Sequence, residues 1–331
     1  MTNAEAMHIV SAAEIARLLP MPDAIAVASK AFAAISRREG QFPKRMHLPL
    51  RDGDALVMPG YDGANYLGTK IVTVRSPQDG EAGTKAAYVL LDVRDVRPVM
   101  FCDGTALTAL RTGAATGLAT RRLARADAHT LALFGVGGQA AEQLTAVLAA
   151  RSIKTILVVG RDAARVERFV YRMRERFPSG PSIEIAPSPE VAVRSAQVIV
   201  TATSSRTPVF DGSWVAPGTH VNAIGSFRPE MRELDTTLLR RARIVVDERE
   251  AALAESGELI RAVEEGCTRR SALVELGEIG DGAARADDDE ITVFKTVGHA
   301  ALDLFTAVAL LGRVAQSPVL SNPVVFQSSG P

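Results

Sequence analysis

The residues best suited to bind a cofactor lie near the middle of the chain, in a glycine-rich turn after a short apolar run. Residues 131–134 are apolar and end at Gly135, after which a helical pattern begins almost at once. The spacing of Gly135, Gly137 and Ala140 is that of a dinucleotide-binding turn whose third small residue is alanine. The first glycine permits the turn, the second leaves room for a pyrophosphate, and the alanine lets the helix pack close to its strand, so that the positive helix end faces the phosphates. This stretch therefore predicts a dinucleotide site, the alternative being a plain structural turn.

The strand that follows the glycine turn indicates which dinucleotide is bound. About 20 residues past the turn, NAD-binding folds place an acid that holds the ribose 2′-hydroxyl. Here the predicted strand 155–159 ends in Gly160-Arg161-Asp162, so that Gly160 stands where the acid would be and Arg161 could meet a 2′-phosphate. We expect NADP as the cofactor, with NAD as the alternative because Asp162 lies close enough to serve instead.

The order of the apolar runs predicts how the chain positions this turn. From residue 129 onward strands and helices alternate, with predicted strands at 131–134, 155–159, 183–185, 198–201, 219–224 and 244–246. Such alternation is typical of an α/β fold, here a Rossmann-type, doubly wound parallel sheet with helices on both faces. Before it, strand patterns at 55–58, 67–74, 86–91 and 98–101 lack long crossovers and predict a largely antiparallel sheet in a mixed α+β domain. We place the Rossmann domain at residues 125–299 and the mixed domain at 1–124 plus 300–331.

Composition argues against several classes of partner. Lysine plus arginine and aspartate plus glutamate number 38 each, without a basic stripe, which argues against nucleic-acid binding. No apolar run approaches the ~20 residues that cross a bilayer, and the N-terminus lacks the features of a signal peptide, so we expect a cytoplasmic protein with no membrane partner. Cys102 and Cys267 are far apart with no histidine nearby, and we expect buried free thiols in a reducing compartment and no metal site.

Several short motifs resemble one protein family along nearly the whole chain. They come in family order between residue 45 and about residue 303, and the longest runs from Cys102 to Thr116. The others are Met58-Pro-Gly-Tyr61, Gly68-Thr-Lys-Ile71, Gly135-Val-Gly-Gly-Gln-Ala140, Arg232-Glu-Leu-Asp235 and Phe294-Lys-Thr-Val-Gly298. On these motifs the chain resembles the ornithine cyclodeaminase/mu-crystallin family. The resemblance implies a homodimer joined through the first domain, which also binds a small imino or amino acid, and a nicotinamide cofactor in the cleft between the domains.

On the substrate side, the resemblance places three cationic residues around the substrate carboxylate, namely Arg45, Lys70 and Arg111. Arginine offers a planar fork suited to a carboxylate, and lysine a movable charge with three donors. Neighbouring cations disfavour one another's charged forms, and of the three only lysine readily gives up its proton. Lys70 is therefore the candidate catalytic residue, relaying a proton to or from the substrate nitrogen. The alternatives are ordinary salt bridges for the two arginines and a partnered, structural lysine in the apolar run 67–74.

On the cofactor side, the resemblance and the strand ends indicate a larger set of contacts. Thr201 and Thr203 follow a predicted strand at the carboxyl edge of the sheet, where ligands bind in such folds, although hydroxyl clusters more often cap loops. His299 is a candidate acid or base, but a histidine at a helix start is more often structural. The predicted cofactor contacts are Thr112, Gly135, Gly137, Gly138, Gln139, Ala140, Arg161, Thr201, Ala202, Thr203, Ser226 and Gly298.

One position departs from the cyclodeaminase pattern of the family. In cyclodeaminases, the second residue after the glycine that ends the strand matching 219–224 is an aspartate, which assists ammonia loss and ring closure. Here Phe227 holds that place, and a phenyl ring can neither take a proton nor pair with an ammonium group. The reductase members of the family are not tied to that aspartate, so the chain is nearest to the imine reductases, which act on ketimines or pyrroline-2-carboxylate.

The sequence thus predicts an NAD(P)H-dependent reductase of a cyclic imino acid, of the pyrroline-2-carboxylate or piperideine-2-carboxylate type, that makes the L-amino acid. Two other enzyme activities stay open: ornithine cyclodeaminase, which forms proline and ammonia, and a dehydrogenase of an open-chain L-amino acid. A further hypothesis is an NADP-dependent binding protein of the mu-crystallin type without turnover. Arg45, Lys70 and Arg111 together argue against it, since a pure nucleotide binder has no need of all three.

Overall fold

The chain folds into two compact units. The computed structural model describes residues 6–75, 83–280, 284–316 and 324–325. The first unit comprises Met1–Arg111 and His299–Pro331, and the second comprises Thr112–Gly298. Each unit builds its own sheet.

Within the described residues, the first unit contains a seven-stranded sheet. Its strands are β1 (Ala6–Val10), β2 (Met46–Leu50), β3 (Gly53–Tyr61), β4 (Tyr66–Arg75), β5 (Gly83–Asp92), β6 (Arg97–Asp103) and β15 (Val324–Val325). Its helices are α1 (Ala12–Leu18), α2 (Met21–Ser36), the first part of α3 (Gly104–Leu123) and α10 (Ala300–Ala315). The strand order is β15-β1-β6-β5-β4-β3-β2. Strands β2 to β6 pair antiparallel, which confirms that prediction, and β1 joins β6 in parallel.

The two faces of this sheet have different surroundings. Helix α10 packs against α2 and against strands β3, β4 and β5. Met58, Lys70, Tyr88 and Cys102 lie side by side across β3 to β6 and are all buried. The opposite face carries exposed large apolar side chains, and we call it the open face: Ile9, Met46, Leu48, Leu67, Ile71 and Phe101. An exposed apolar patch of this kind is typical of an interaction surface.

The helices of the first unit are held by apolar packing. The buried side of α2 carries Ile25, Ala28, Phe32 and Ile35, which recur at helical spacing.

No single helix within the described ranges is long and apolar enough to cross a bilayer. Helices α1 and α2 reach that length and composition only as a pair, and their axes meet at 86°.

As far as the structure describes the chain, the second unit contains an eight-stranded sheet in which every pairing is parallel. Its strands are β7 (Thr130–Phe134), β8 (Thr155–Val159), β9 (Ser182–Ile185), β10 (Val198–Thr201), β11 (His220–Ala223), β12 (Ala242–Val246), β13 (Val274–Glu275) and β14 (Ile291–Lys295). Its helices are α4 (Ala140–Ala150), α5 (Ala163–Arg176), α6 (Pro189–Ser195), α7 (Thr236–Arg241), α8 (Arg249–Glu255) and α9 (Gly257–Glu264). The strand order is β13-β12-β14-β11-β10-β7-β8-β9.

Helices cover both faces of this parallel sheet. On strand β7, Leu131 and Leu133 belong to one apolar core, and Ala132 and Phe134 belong to a second. Because successive strand residues point to opposite faces, the two cores lie on opposite sides of the sheet. The predicted Rossmann-type, doubly wound fold is confirmed. The chain moves outward from β7 to β8 and β9 and then returns to β10 on the other side of β7, so the strand order reverses between β7 and β10. In such sheets ligands bind where the order reverses, at the carboxyl ends of the strands.

The boundary between the units falls earlier than the sequence predicted. The chain divides after Arg111 and after Gly298, whereas the predicted boundaries follow residues 124 and 299. Helix α3 is continuous, and its second half bonds within the second unit. The Thr120 hydroxyl accepts a hydrogen bond from Asn222 (3.1 Å), and Arg122 donates to the carbonyl of Leu276 (3.0 Å).

Candidate functional site

A charged cluster lies under the sheet of the first unit, consisting of Arg45, Lys70, Arg111 and Asp303. Lys70 stands on the helix-facing side of β4, where its Nζ donates to both carboxylate oxygens of Asp303, at 2.9 Å and 2.7 Å. Arg111 donates from Nε to Oδ1 of the same carboxylate at 3.0 Å. Lys70 and Asp303 are 1% and 0% exposed, so solvent screens this ion pair little. Two of the three predicted substrate residues, Lys70 and Arg111, therefore bind an aspartate that the sequence reasoning missed, and Arg45 lies close enough to act on the charge of Lys70.

The charges of the cluster set the protonation of its members. Burial lowers the pKa of Lys70 to about 7, Arg111 and Arg45 add to the lowering, and Asp303 opposes them. For Asp303, burial raises the pKa of the carboxyl, but Arg111 and Lys70 outweigh burial and hold that pKa below its ordinary value. Near neutral pH, Asp303 is thus ionised while Lys70 divides between its charged and neutral forms. A lysine poised in this way can give and take a proton at physiological pH.

A glycine and a tyrosine complete the surroundings of Lys70. Tyr88 lies directly opposite Lys70 on β5 and is buried, and its hydroxyl has no hydrogen-bond partner among the described residues. Burial, with Asp303 and Cys102 adding to it, raises the pKa of Tyr88 well above its ordinary value, so the hydroxyl keeps its proton. A Cβ added at Gly68 would lie 2.0 Å from that hydroxyl oxygen. The glycine of the Gly68-Thr-Lys-Ile71 motif is therefore required by the tyrosine ring that crosses over it.

His299 has a structural role. It is the N-cap of α10, and its Nδ1 accepts a hydrogen bond from the backbone N–H of Ala301 at 3.2 Å. Its ring also contacts Phe42, with the ring centroids 5.3 Å apart. Asp303 lies in the first turn of the same helix, so the cap helps to fix where the carboxylate sits.

In the second unit, the glycine turn after β7 has the geometry of a phosphate cradle. Gly135 has a φ of 98°, and a Cβ there would lie 2.5 Å from the carbonyl oxygen of Ala202. By contrast, a Cβ added at Gly137 or Gly138 would meet nothing within 4 Å, which leaves space on that side of the turn. Helix α4 then begins at Ala140 without a side-chain cap. The Ala140 N–H donates to the carbonyl of Gly137 at 3.1 Å, whereas the N–H groups of Ala141 and Glu142 have no hydrogen-bond partner among the described residues and are available to an anion.

Buried polar atoms of the second unit, two of them beside this turn, fit a polar ligand. The side-chain oxygens of Gln139, Thr201 and Thr112 have no hydrogen-bond partner within the described part of the chain. Since buried polar groups are normally paired, such atoms are candidates for contact with a bound molecule. The turn and these atoms fit a dinucleotide.

Gly160, Arg161 and Asp162 follow β8, and the sequence analysis linked them to the choice of cofactor. A Cβ at Gly160 would lie 2.6 Å from the side chain of Val166, so packing of α5 requires glycine there. Asp162 is the N-cap of α5 and accepts a hydrogen bond from the backbone N–H of Arg165 at 3.0 Å. Arg161 is exposed. Beside the turn lies a groove of about 620 Å³, lined by Val136, Arg165, Glu167, Arg168, Tyr171 and Arg172.

A buried ionic network joins the loops after β10 and β11. Glu233 accepts hydrogen bonds from the backbone N–H of Thr203 (2.7 Å), from the Thr203 hydroxyl (2.8 Å) and from the backbone N–H of Gly225 (2.7 Å). Lys295 donates to the hydroxyl of Ser226 at 2.7 Å and lies 3.2 Å from Glu258. The hydroxyl protons of Thr203 and Ser226 are thus donated inside the protein, so in this arrangement these two hydroxyls could meet a cofactor only as acceptors.

Gly298 stands in a turn that Asp247 holds. The Asp247 carboxylate accepts hydrogen bonds from the backbone N–H groups of Val297 and Gly298, both at 2.9 Å. The φ of Gly298 is 85°, a value that favours glycine. The glycine of the Phe294-Lys-Thr-Val-Gly298 motif is therefore explained by its backbone conformation.

Comparison with known proteins identifies the family. The model of the ornithine cyclodeaminase/mu-crystallin family matches residues 5–317. The chain belongs to this family. The resemblance inferred from the motifs is confirmed, and two residues of the buried network, Glu233 and Lys295, stand within those family motifs.

Individual members of the ornithine cyclodeaminase/mu-crystallin family are similar over nearly the whole chain. The Delta(1)-pyrroline-2-carboxylate reductase of Bacillus cereus is 38% identical over 330 residues, covering 97% of this chain and 100% of that protein. The structure of Thermococcus litoralis Delta(1)-pyrroline-2-carboxylate reductase, in complex with NADH and L-proline, has a TM-score of 0.90 and 31% identity over 96% of this chain and 100% of that one. An archaeal alanine dehydrogenase dimer with bound NAD has a TM-score of 0.87 and 32% identity, covering 97% and 99% of the two chains.

Proposed function

We propose that the protein is a nicotinamide-dependent reductase of a cyclic imino acid of the pyrroline-2-carboxylate class, which it converts to the L-amino acid. The observation that carries this proposal is the buried Lys70, held by Asp303 next to Arg111 with its pKa lowered to about 7. The names of the Bacillus cereus and Thermococcus litoralis reductases support the same substrate class. The direct test is consumption of reduced cofactor on addition of pyrroline-2-carboxylate and piperideine-2-carboxylate, with open-chain imines as the comparison.

The charged cluster suits an anionic substrate with a basic nitrogen. Arg111 uses Nε for Asp303, and its terminal nitrogens have no hydrogen bond to the described residues, which leaves a fork for the substrate carboxylate. Arg45 adds positive charge beside Lys70. Lys70 keeps the imine nitrogen protonated, and the carbon of an iminium ion is more electrophilic than that of a neutral imine. Holding the carboxylate also supplies proximity, which can lower the barrier by several kcal/mol.

The glycine turn, Gln139 and Thr201 would hold the nicotinamide dinucleotide, which when bound supplies the hydride. We further propose that the preferred cofactor is NADPH. Two observations support this: Asp162 stands at the N-cap of α5, where its Oδ1 accepts from the backbone N–H of Arg165, and Gly160 leaves no acid at the strand end. Arg161 and the arginines of the neighbouring groove add positive charge where a 2′-phosphate would lie.

We expect the Arg161→Ala variant to lose NADPH use selectively. A charge-assisted hydrogen bond contributes about 1.5–3 kcal/mol, so kcat/KM for NADPH should fall by roughly 10- to 150-fold, whereas the value for NADH should hardly change. Steady-state kinetics with both cofactors at a fixed imine concentration measure this. Wild-type protein with a higher kcat/KM for NADH than for NADPH would overturn the proposed preference.

We also propose a homodimer that buries the open face of the first unit. This face carries large apolar side chains at 38–56% exposure, among them Ile71 at 47%, and the similar alanine dehydrogenase is a dimer.

We propose a cytoplasmic location for the protein, because both cysteines are free thiols.

The Ile71→Glu variant is expected to be monomeric, because a carboxylate cannot be buried unpaired in an apolar interface. Light scattering coupled to gel filtration gives the mass of the wild type and the variant. Ile185→Glu is the matched control, since Ile185 has nearly the same exposure (48%) but lies on β9 of the second unit. A monomeric wild type, or a dimeric Ile71→Glu variant, would contradict the proposal.

The second candidate function is oxidative deamination or reductive amination of an open-chain amino acid, and the similarity to alanine dehydrogenase favours it. That reaction passes through an open-chain imine, which the same cations and the same lysine could bind and protonate. The relative kcat/KM for pyrroline-2-carboxylate and for pyruvate with ammonia separates the two.

A further inference from the structure

We propose that Asp303 is a positioning residue for imine reduction: by binding Lys70 and Arg111 with one carboxylate, it keeps the lysine protonated and aimed as the proton donor. This inference rests on the proposed function. It concerns a residue on α10 that acts through Lys70 and Arg111 and does not itself contact the substrate.

The geometry of the three groups carries the proposal. Lys70 Nζ bonds both oxygens of Asp303, at 2.9 Å and 2.7 Å, so two of its three N–H donors point to one fixed acceptor. Arg111 Nε donates to Oδ1 at 3.0 Å, and the terminal nitrogens of its guanidinium make no hydrogen bond to the described residues. Three groups from α3, β4 and α10 are thereby fixed relative to one another. One lysine N–H and the arginine fork are left for a ligand.

Asp303 is also the counter-charge of the cluster. The titratable or charged groups around Lys70 are Arg45, Arg111 on α3, Asp303 on α10, Tyr88 on β5, and Cys102 beyond Tyr88 on β6. Tyr88 and Cys102 stay neutral, since burial raises the pKa of both, to about 12 for Cys102. Of these five groups Asp303 supplies the negative charge. Without it, Lys70 would be buried against two arginines, and its protonated form would be disfavoured further.

The test is the pH dependence of the Asp303→Asn variant. Removing the carboxylate lowers the pKa of Lys70 below about 7, so the proton is lost at lower pH and the alkaline fall of kcat/KM begins at lower pH. We expect that limb to move down by at least one pH unit, and the rate at pH 7 to fall at least about fivefold because the protonated fraction of Lys70 falls by that factor. Because wild type and variant use the same imine, ionisation of the substrate contributes equally to both profiles.

A binding measurement gives a readout without turnover. Pyrrole-2-carboxylate is a planar carboxylate whose ring has no imine bond to reduce, and an anion binds more tightly when Lys70 is charged. Its Kd, measured by calorimetry with oxidised cofactor present, should begin to rise at lower pH in Asp303→Asn than in the wild type. Asp23→Asn is the matched control: Asp23 pairs with Arg313 of the same helix α10, but this ion pair is half exposed and lies outside the charged cluster. Its two profiles should match those of the wild type.

A second variant keeps the proposal testable if Asp303→Asn does not fold. Asp303→Glu retains the charge and displaces the carboxylate, so a positioning role predicts a lower kcat with the alkaline limb close to that of the wild type. If either folded variant loses thermal stability but keeps both the wild-type kcat and the wild-type pH limb, Asp303 is structural and the proposal is wrong. Failure of the proposed function is distinct, because the wild type itself would then reduce no imine.

Discussion

The Lys70→Met variant is expected to lose nearly all imine reduction while it keeps its affinity for the nicotinamide nucleotide. Methionine preserves the length and apolar volume of the side chain but removes the charge and the proton. General acid–base groups typically contribute about 10²- to 10⁴-fold to a rate, and we expect a loss in that range. The nucleotide should still bind, since the glycine turn and its uncapped helix belong to the other unit. Steady-state kinetics with pyrroline-2-carboxylate and a nucleotide titration by fluorescence measure the two quantities.

A matched substitution separates catalysis from packing. Lys30→Met makes the same change at an exposed position on α2 and should leave both quantities unchanged. In Lys70→Met, Asp303 retains Arg111 as a partner at 3.0 Å, so the carboxylate is not left as an unpaired buried charge. A Lys70→Met protein that is less stable but has the full specific activity would identify Lys70 as a structural lysine.

The sequence predicts the second unit of this protein well, because its signals are local. The glycine turn, the alternation of strands and helices, and the apolar runs 155–159 and 198–201 all lie within a few residues of the chain, and the structure has strands at those same residues. Strand β14 was not predicted. It ends in Lys295, which as a charged residue argues against a buried strand, yet the structure buries it on Ser226 and Glu258. The partners that make such a residue tolerable inside the protein are distant in sequence.

The charged cluster shows even more clearly that partners distant in sequence cannot be predicted from local patterns. The family motifs pointed to Lys70 and Arg111, but Asp303 lies 233 residues from Lys70 and stands in a helical pattern where an acid in the first turn is unremarkable. Its pairing follows from the packing of α10 across β3, β4 and β5, which the periodicity of one sequence does not contain. Without Asp303, the sequence predicts three mutually repelling cations. With it, the pKa of Lys70 is about 7, a value suited to proton transfer.

The second large effect concerns ornithine: the wild-type protein, given L-ornithine and NAD⁺, is expected to release little or no ammonia. In the cyclodeaminases of the family the position of Phe227 carries an aspartate, and deamination needs a base for the amine protons and a negative charge to steady cationic intermediates. Phe227 offers neither. Its ring lies in the loop after β11, with the guanidinium of Arg228 5.5 Å from the ring centroid, so a cation occupies the neighbourhood of the missing carboxylate. An ammonia assay beside an NADPH assay with pyrroline-2-carboxylate gives both rates on one preparation.

The Phe227→Asp variant tests whether the charge alone is sufficient. It restores a carboxylate but also removes the ring that Arg228 contacts, and the new acid can form an ion pair with that arginine instead of meeting the substrate amine. We therefore expect at most trace cyclodeaminase activity from this variant. If the unmodified protein releases ammonia from ornithine as fast as it reduces the imine, the chain performs deamination without an acid at residue 227, and the choice of reductase over cyclodeaminase is wrong. Imine reduction needs only a hydride, a bound carboxylate and one proton, and the cluster around Lys70 can provide the last two without help from residue 227.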